Sequence, residues 1–135
     1  MFTQNTIQLT HAATLAMLTA AVRGAESMDQ PQCIVIVDAS GVTLGSIRMT
    51  GAKYLSLKSA EAKARTAASI RAPSDAIPEH VAPAIAAATG GDVTHLGGGM
   101  PIVIDGECVG GIGVGSGSSD QDIAVCEAAL AALAQ

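Results

Sequence analysis

The sequence is almost devoid of aromatic residues: Trp is absent, and Phe2 and Tyr54 stand alone among 135 positions. Proteins that stack bases need aromatic platforms and basic grooves, so this scarcity argues against a nucleic-acid partner. The charge balance argues the same way, because seven Lys and Arg against twelve Asp and Glu leave a net charge of −5, which repels a phosphate backbone. No apolar run approaches the roughly eighteen residues of a bilayer span. The opening stretch lacks a cationic start, and Thr10, His11 and Thr14 interrupt its apolar positions, so neither a membrane partner nor a secretory signal is expected. Cysteine is scarce as well. Cys33, Cys108 and Cys126 are odd in number and widely spaced, which fits neither a disulfide framework nor a zinc pattern and suits a reducing, cytoplasmic setting.

What the chain has in abundance is small. Ala fills 26 positions and Gly 15, so 41 of 135 residues lack a large side chain, and the core is expected to be aliphatic with closely approaching backbones. The length suits a single domain, 1–135. Leu15, Leu18, Val22 and Ala25 recur at helical spacing and predict a first helix within residues 7–28, with Thr6 or Thr10 as its cap. Residues 33–37 form an apolar strand that ends in the turn chemistry of Asp38-Ala39-Ser40-Gly41, and residues 42–49 return as its hairpin partner. Ser56 is expected to cap a second helix reaching Arg71, with Ala60, Ala64, Ala67 and Ala68 packed closely, and Pro73 beyond its end.

A short helix over residues 84–88 stops at Gly90-Gly91, and residues 93–96 read as a strand. Asp105-Gly106 joins strands 102–104 and 108–114 through a type I′ turn, because this dipeptide tolerates two positive φ angles. Asp120 is expected to cap a last helix whose apolar face is Ile123, Cys126, Ala129, Leu130 and Leu133. The order predicts an α+β domain with a five-stranded antiparallel sheet flanked by α-helices.

The glycine tract from Gly110 to Gly117 has the composition of a phosphate loop but the spacing of none: neither a Walker sequence nor a G-x-G-x-x-G register fits, and the setting is a hairpin. Glycines alternating along a strand instead let a helix or a neighbouring subunit lie directly on the backbone. No G-x-S-x-G elbow occurs, and no cysteine sits in a nucleophile context. His11, His80 and His95 are too scattered for a zinc site; His11, on the first turn of a helix, is the best placed of them to ligate a metal. Arg48, Lys58 and Lys63 fall near sheet-to-helix junctions, where they either pair with Glu61 and Asp38 or bind a carboxylate over the Gly97 loop.

Taken in order, Val37-Asp38-Ala39-Ser40-Gly41, Arg48-Met49, Ala62-Lys63-Ala64 with Thr66-Ala67, Gly97-Gly98-Gly99-Met100-Pro101-Ile102, and Val109-Gly110-Gly111-Ile112-Gly113-Val114 with Asp120-Gln121-Asp122 resemble the GlcG/HbpS haem-binding family. That family also includes the C-terminal domain of PduO-type corrinoid adenosyltransferases. The resemblance implies the same α+β fold and homo-oligomers, often octamers. It implies haem in some members, by a His ligand for which His11 is the first choice here and His80 the second, and roles in catabolism in others. Two departures stand out: the family's Gly-Val-Ser-Gly-Gly loop reads Gly113-Val114-Gly115-Ser116-Gly117, and the often aromatic stretch before Gly97 reads Thr94-His95-Leu96, which offers a porphyrin no ring to stack on.

Two functions follow as expectations. The first is an oligomeric haem- or small-ligand-binding protein holding a carboxylate-bearing ligand near His11, His80, Arg48, Lys63 and Gly97, Gly98 and Gly99. The second is a catabolic enzyme acting on an unsaturated or hydroxy acid, such as a ring-cleavage intermediate of aromatic degradation. There Arg48 or Lys63 would anchor the acid, and Asp38 or Asp120 would serve as acid or base.

Overall fold

Thr10 opens the first helix. In the computed structural model, which describes residues 1–134, its hydroxyl accepts the Ala13 N–H at 3.2 Å and caps α1, His11–Ser27. Strand β1, Cys33–Asp38, pairs antiparallel with β2, Thr43–Arg48, through a turn in which Asp38 Oδ1 accepts the N–H groups of Ser40 (2.8 Å) and Val42 (3.1 Å) and Gly41 takes a φ of 80°. Helix α2, Ser56–Ile70, follows, ending at Arg71 in the left-handed region. Its cap is Leu55, with no side-chain bond, so Ser56 is the first helical residue rather than the cap. A 3₁₀ turn, Ser74–Ala76, and a short α3, Ala82–Ala88, lead to β3, Gly99–Ile104, and β4, Glu107–Gly115. Asp105 and Gly106 take φ values of 51° and 77°, the type I′ geometry their sequence demands. The chain closes in α4, Ser119–Ala131, where Ser118 and Gln121 form a capping box; Asp120 lies inside the helix and is not its cap.

Among the described residues the sheet has four strands in the order β2-β1-β4-β3, all antiparallel, not the five expected. The missing strand is residues 93–96, whose backbone is held by hydroxyl groups instead of a ladder: Thr94 N–H donates to Thr66 Oγ1 at 3.0 Å, and the Leu96 carbonyl accepts from Ser74 Oγ at 2.6 Å. A β-branched composition gave that segment a strand's appearance, but the glycines after it turn the chain before it can reach a neighbour. Pro101 is tolerated because β3 is an edge strand.

Helices cover both faces. On one, α2 lies over Cys33, Val35 and Val37 and over the glycines of β4, with Ala60, Ala64 and Ala68 in the contact. A methyl group at Gly113 would overlap the Ala60 carbonyl oxygen, and one at Gly111 the Ala64 carbonyl oxygen. The alternating glycines therefore seat this chain's own helix. On the other face α1 and α4 pack together over Ile34, Ile36, Ile102, Ile112 and Val114.

The buried stripe of α1 is Thr14, Met17, Ala21 and Ala25. The sequence pattern pointed to Leu15, Leu18, Val22 and Ala25; Ala25 is buried, but Leu15 is 61% exposed and Leu18 and Val22 are only half-buried, because the helix is apolar over much of its circumference and the small residues won the inner side. In α4 Asp122, Val125, Cys126 and Ala129 point inward; Cys126 and Ala129 of the expected face are thus buried, with Leu130 and Leu133 packed beside them. No helix among the described residues is long and apolar enough to cross a membrane.

Candidate functional site

Two places gather chemistry. The first is buried. From the inner face of α2, Lys63 Nζ donates to the Val114 carbonyl at 2.8 Å and to Asp122 Oδ2 at 3.0 Å, with the two side chains only 6% and 3% exposed. Asp122 is the fourth residue of α4, and its Oδ1 accepts the Gly117 N–H at 3.1 Å. Burial pushes the Asp122 carboxyl above its ordinary range, while the Lys63 ammonium and the Gly117 N–H pull in the opposite direction.

Gly98, at a φ of 108°, closes over the pair, and a methyl there would fall 2.7 Å from Asp122 Cβ and 3.2 Å from Lys63 Nζ. Gln32 is fully buried beside the same carboxylate, and neither atom of its amide meets the geometry of a hydrogen bond. The structure thus brings Lys63, Gly98 and Gly99 together, as the sequence implied. The ammonium offered there to a ligand's carboxylate is already engaged by a carboxylate of the chain.

The second place is open. Between α1 and β2 runs a groove of about 410 Å³ with apolar walls of Leu15, Leu18, Val22 and Ile47, and with Arg23 and Glu26 at its far end. Where α1 crosses β2 the strand carries Gly45: a methyl there would lie 2.7 Å from Thr14 Cγ2 and 3.2 Å from Leu18 Cδ1, so any larger residue would push the helix off the strand. His11, exposed on the first turn of α1, heads the same helical stripe, since His11, Leu15, Leu18 and Val22 follow i, i+4, i+7, i+11 spacing.

The remaining candidates are dispersed. Arg48 ends β2, exposed, opposite Cys33 in register and so on the other face of the strand from Ile47. His80 is exposed on the turn before α3, and His95 is half-buried in residues 93–96. Asp38 is committed to its turn, and Asp120 is exposed on the first turn of α4. The two cations proposed to anchor an acid, Arg48 and Lys63, are therefore separated, one on the surface of β2 and one sealed beneath Gly98.

A larger cleft of about 790 Å³ lies where the β1–β2 turn meets α2. Its guanidinium, Arg65, is answered by Glu61 at 2.7 Å, Asp92 at 3.0 Å and the Gly41 carbonyl at 3.0 Å, which leaves that wall no positive charge for an anion. The sequence reading missed Asp122, Arg23 and the groove itself. The signal for the groove was present, because an α1 with two apolar stripes can bury only one of them.

Comparison with known proteins gives a consistent family signal. A family model described as haem degrading protein HbpS-like matches residues 9–131. Among curated proteins, the corrinoid adenosyltransferase PduO of Citrobacter freundii is 34% identical over 119 residues, covering 84% of this chain and 36% of that protein; the chain thus spans about a third of the length of the first curated relatives it matches. Among solved structures, Klebsiella pneumoniae protein ORFY superposes with a TM-score of 0.92 at 26% identity, covering 99% of this chain and 97% of that one. The PduOC:heme complex superposes with a TM-score of 0.86 at 30% identity, covering 93% and 95%.

Proposed function

This chain belongs to the HbpS-like family, and from that premise we propose that it binds haem, with the groove between α1 and β2 as the seat and His11 as the residue that would hold the iron. The observation that carries the reading is His11 at the head of an exposed apolar stripe, on a fold shared with a protein crystallised as a heme complex.

The groove offers the group an aliphatic wall, and the iron ligand would have to come from His11 just outside it. At about 410 Å³ it lies within the range of small-ligand sites, and its walls are aliphatic, with Arg23 and Glu26 at one end; His11 lies outside the lining, one helical turn before Leu15. It is also open on one side. Leu15, Leu18, Val22 and Ile47 would lie against one face of a flat macrocycle and exclude water there, and the absence of aromatic residues leaves this contact to aliphatic packing alone. The bound iron supplies redox and ligand-exchange chemistry; the chain supplies the ligand, the dry wall and the polar ends.

A one-walled seat favours a homo-oligomer in which a second copy covers the other face of the ligand. Exposed Leu15, Leu44 and Ile47, and a β2 edge without a partner strand, support self-association, for which the octamer of the family resemblance is the assembly we propose. Three free thiols, two of them buried, support a reducing compartment such as the cytoplasm.

Titration of the apo protein with haemin, followed at the Soret band, tests the reading. A saturable shift is expected, altered in His11→Ala and unchanged in His80→Ala. No saturable shift would end the haem reading, and a spectrum indifferent to His11→Ala would end this seat. Light scattering with and without haemin reports the assembly.

A further inference from the structure

Away from the α1–β2 groove, the cleft of about 790 Å³ is walled by three parts of the fold: the β1–β2 turn, α2 and the segment after α3. Arg65 ties the three together. Its Nε donates to the Gly41 carbonyl at 3.0 Å, and its Nη1 meets Asp92 Oδ1 at 3.0 Å and, outside the cleft lining, Glu61 Oε1 at 2.7 Å. A guanidinium has five N–H groups, so three are spent and the two on Nη2 are left over. Asp92 Oδ2, in the same ion pair, is left over as well.

Charge and hydrogen-bonding capacity part company here. One guanidinium against two carboxylates leaves the cluster with a net negative charge, which turns an anion away, while a donor edge and an acceptor edge stay open beside each other. The hydroxyls of Ser40, Thr43 and Ser69 line the same cleft and make no hydrogen bond among the described residues. We propose that this cleft binds an uncharged polyol, with neighbouring hydroxyls of the ligand shared between Arg65 Nη2 and Asp92 Oδ2.

The ligand's chemistry matches the walls. A hydroxyl both donates and accepts, so it can take a hydrogen bond from the guanidinium and give one to the carboxylate, and bonds to ionised groups are the stronger kind. Its remaining hydroxyls meet those of Ser40, Thr43 and Ser69, and its C–H edges meet the small apolar surfaces of Ala68 and Val93. The three contacts that hold Arg65 pre-organise the site, because the guanidinium is not ordered at the ligand's expense. The volume falls within the range of small-ligand sites. No aromatic ring lines the cleft to stack on a pyranose, which favours an open chain.

Amide NMR titration of the full chain tests this, with sorbitol as the probe, gluconate as its counterpart bearing a carboxylate, and a hexanediol with one hydroxyl at each end as a chain lacking neighbouring hydroxyls. Saturable shifts with sorbitol are expected at residues 40–43, 65–69 and 89–93. The dissociation constant should be roughly a few millimolar, as ordinary ligand efficiencies give for about a dozen heavy atoms. Gluconate should bind about fivefold more weakly at low salt, and Asp92→Asn should narrow that gap. Thr43→Val and Ser69→Ala should each weaken sorbitol about three- to tenfold, the range of one neutral hydrogen bond, with the same spectra reporting that the variants are folded. Gluconate or the hexanediol binding as tightly as sorbitol, shifts that rise without saturating, or a sorbitol affinity indifferent to both hydroxyl deletions would overturn the proposal. The seat proposed for haem lies on the α1 face of the sheet, so the two readings stand or fall separately.

Discussion

Replacing Lys63 by Met should be among the most damaging single changes in the molecule. The substitution keeps most of the buried side-chain volume but leaves the Asp122 carboxylate, 3% exposed, with only the Gly117 N–H as a hydrogen-bonding partner that meets geometric criteria. Two charges 3.0 Å apart attract by about 5 kcal/mol at an effective dielectric of about 20, before the cost of taking them out of water is counted. Breaking one side of such a pair typically costs about 3–5 kcal/mol, because the other charge stays buried alone. For a domain of this length that is a fall of roughly 10–20 °C in the melting temperature.

Asp122→Leu should cost a similar amount for the mirrored reason. The double variant Lys63→Met with Asp122→Leu should recover most of the loss, since apolar groups of similar volume often replace a buried pair at little cost. Urea unfolding of the four proteins gives the coupling energy directly. The reasoning fails if Lys63→Met costs less than about 1 kcal/mol, or if the double variant loses the sum of the two single losses.

Further outcomes are expected from the same structure. Because burial holds the Asp122 carboxyl above its ordinary value of 3.8, the folded state keeps that proton more tightly than the unfolded chain. The resulting contribution is fully present below about pH 3.8 and is lost as pH rises through the elevated folded value, and Asp122→Asn should remove this slope from urea midpoints measured across acidic pH. Gly113→Ala should cost roughly 3 kcal/mol or more, because the methyl meets the backbone of Ala60 and Ala64 and neither can yield, whereas Gly106→Ala, in open space at a φ of 77°, should cost only about 1–2 kcal/mol; equal midpoints in chemical unfolding would contradict the contrast. A disulfide reagent should titrate Cys108 alone in the native protein, since Cys33 and Cys126 are buried and burial pushes both of their thiols up, and all three should react in guanidinium.

Local chemistry made much of this fold legible. The Asp105-Gly106 turn, the Asp38 turn and the apolar run of β1 announce themselves in a few residues, because the backbone conformations they require suit so few side chains. What stayed hidden depended on tertiary context. Residues 93–96 have the composition of a strand, yet hydroxyl groups of Thr66 and Ser74, about 20 or more positions away, decided that they would not be one. The two stripes of α1 compete on nearly equal hydrophobicity, and only the proximity of Gly45 and of α4 selects the one bearing Met17 and Ala21.

The candidate site was legible in the same uneven way. His11 was singled out for lying on a first helical turn, and it precedes the exposed stripe of Leu15, Leu18 and Val22 without lining the groove itself. Lys63 was placed correctly beside Gly98 and Gly99, but its partner Asp122 was overlooked in favour of Asp120, two positions earlier and exposed. The cap of α4 lies two residues before the expected Asp120, at Ser118, which leaves the helix in place, whereas a two-residue difference in the inward-facing carboxylate turns it to the opposite side of the helix.

The contact of α2 with β4 has a volumetric consequence. Backbone lying on backbone, with only Ala methyl groups and glycine hydrogens between, leaves no irregular side chains whose imperfect fit would trap empty space. Pressure unfolds proteins in proportion to the voids that unfolding eliminates. This half of the molecule should therefore yield little volume on unfolding, and high-pressure NMR should find the amides of α2 and β4 holding their native shifts after those along the α1–β2 groove have begun to move.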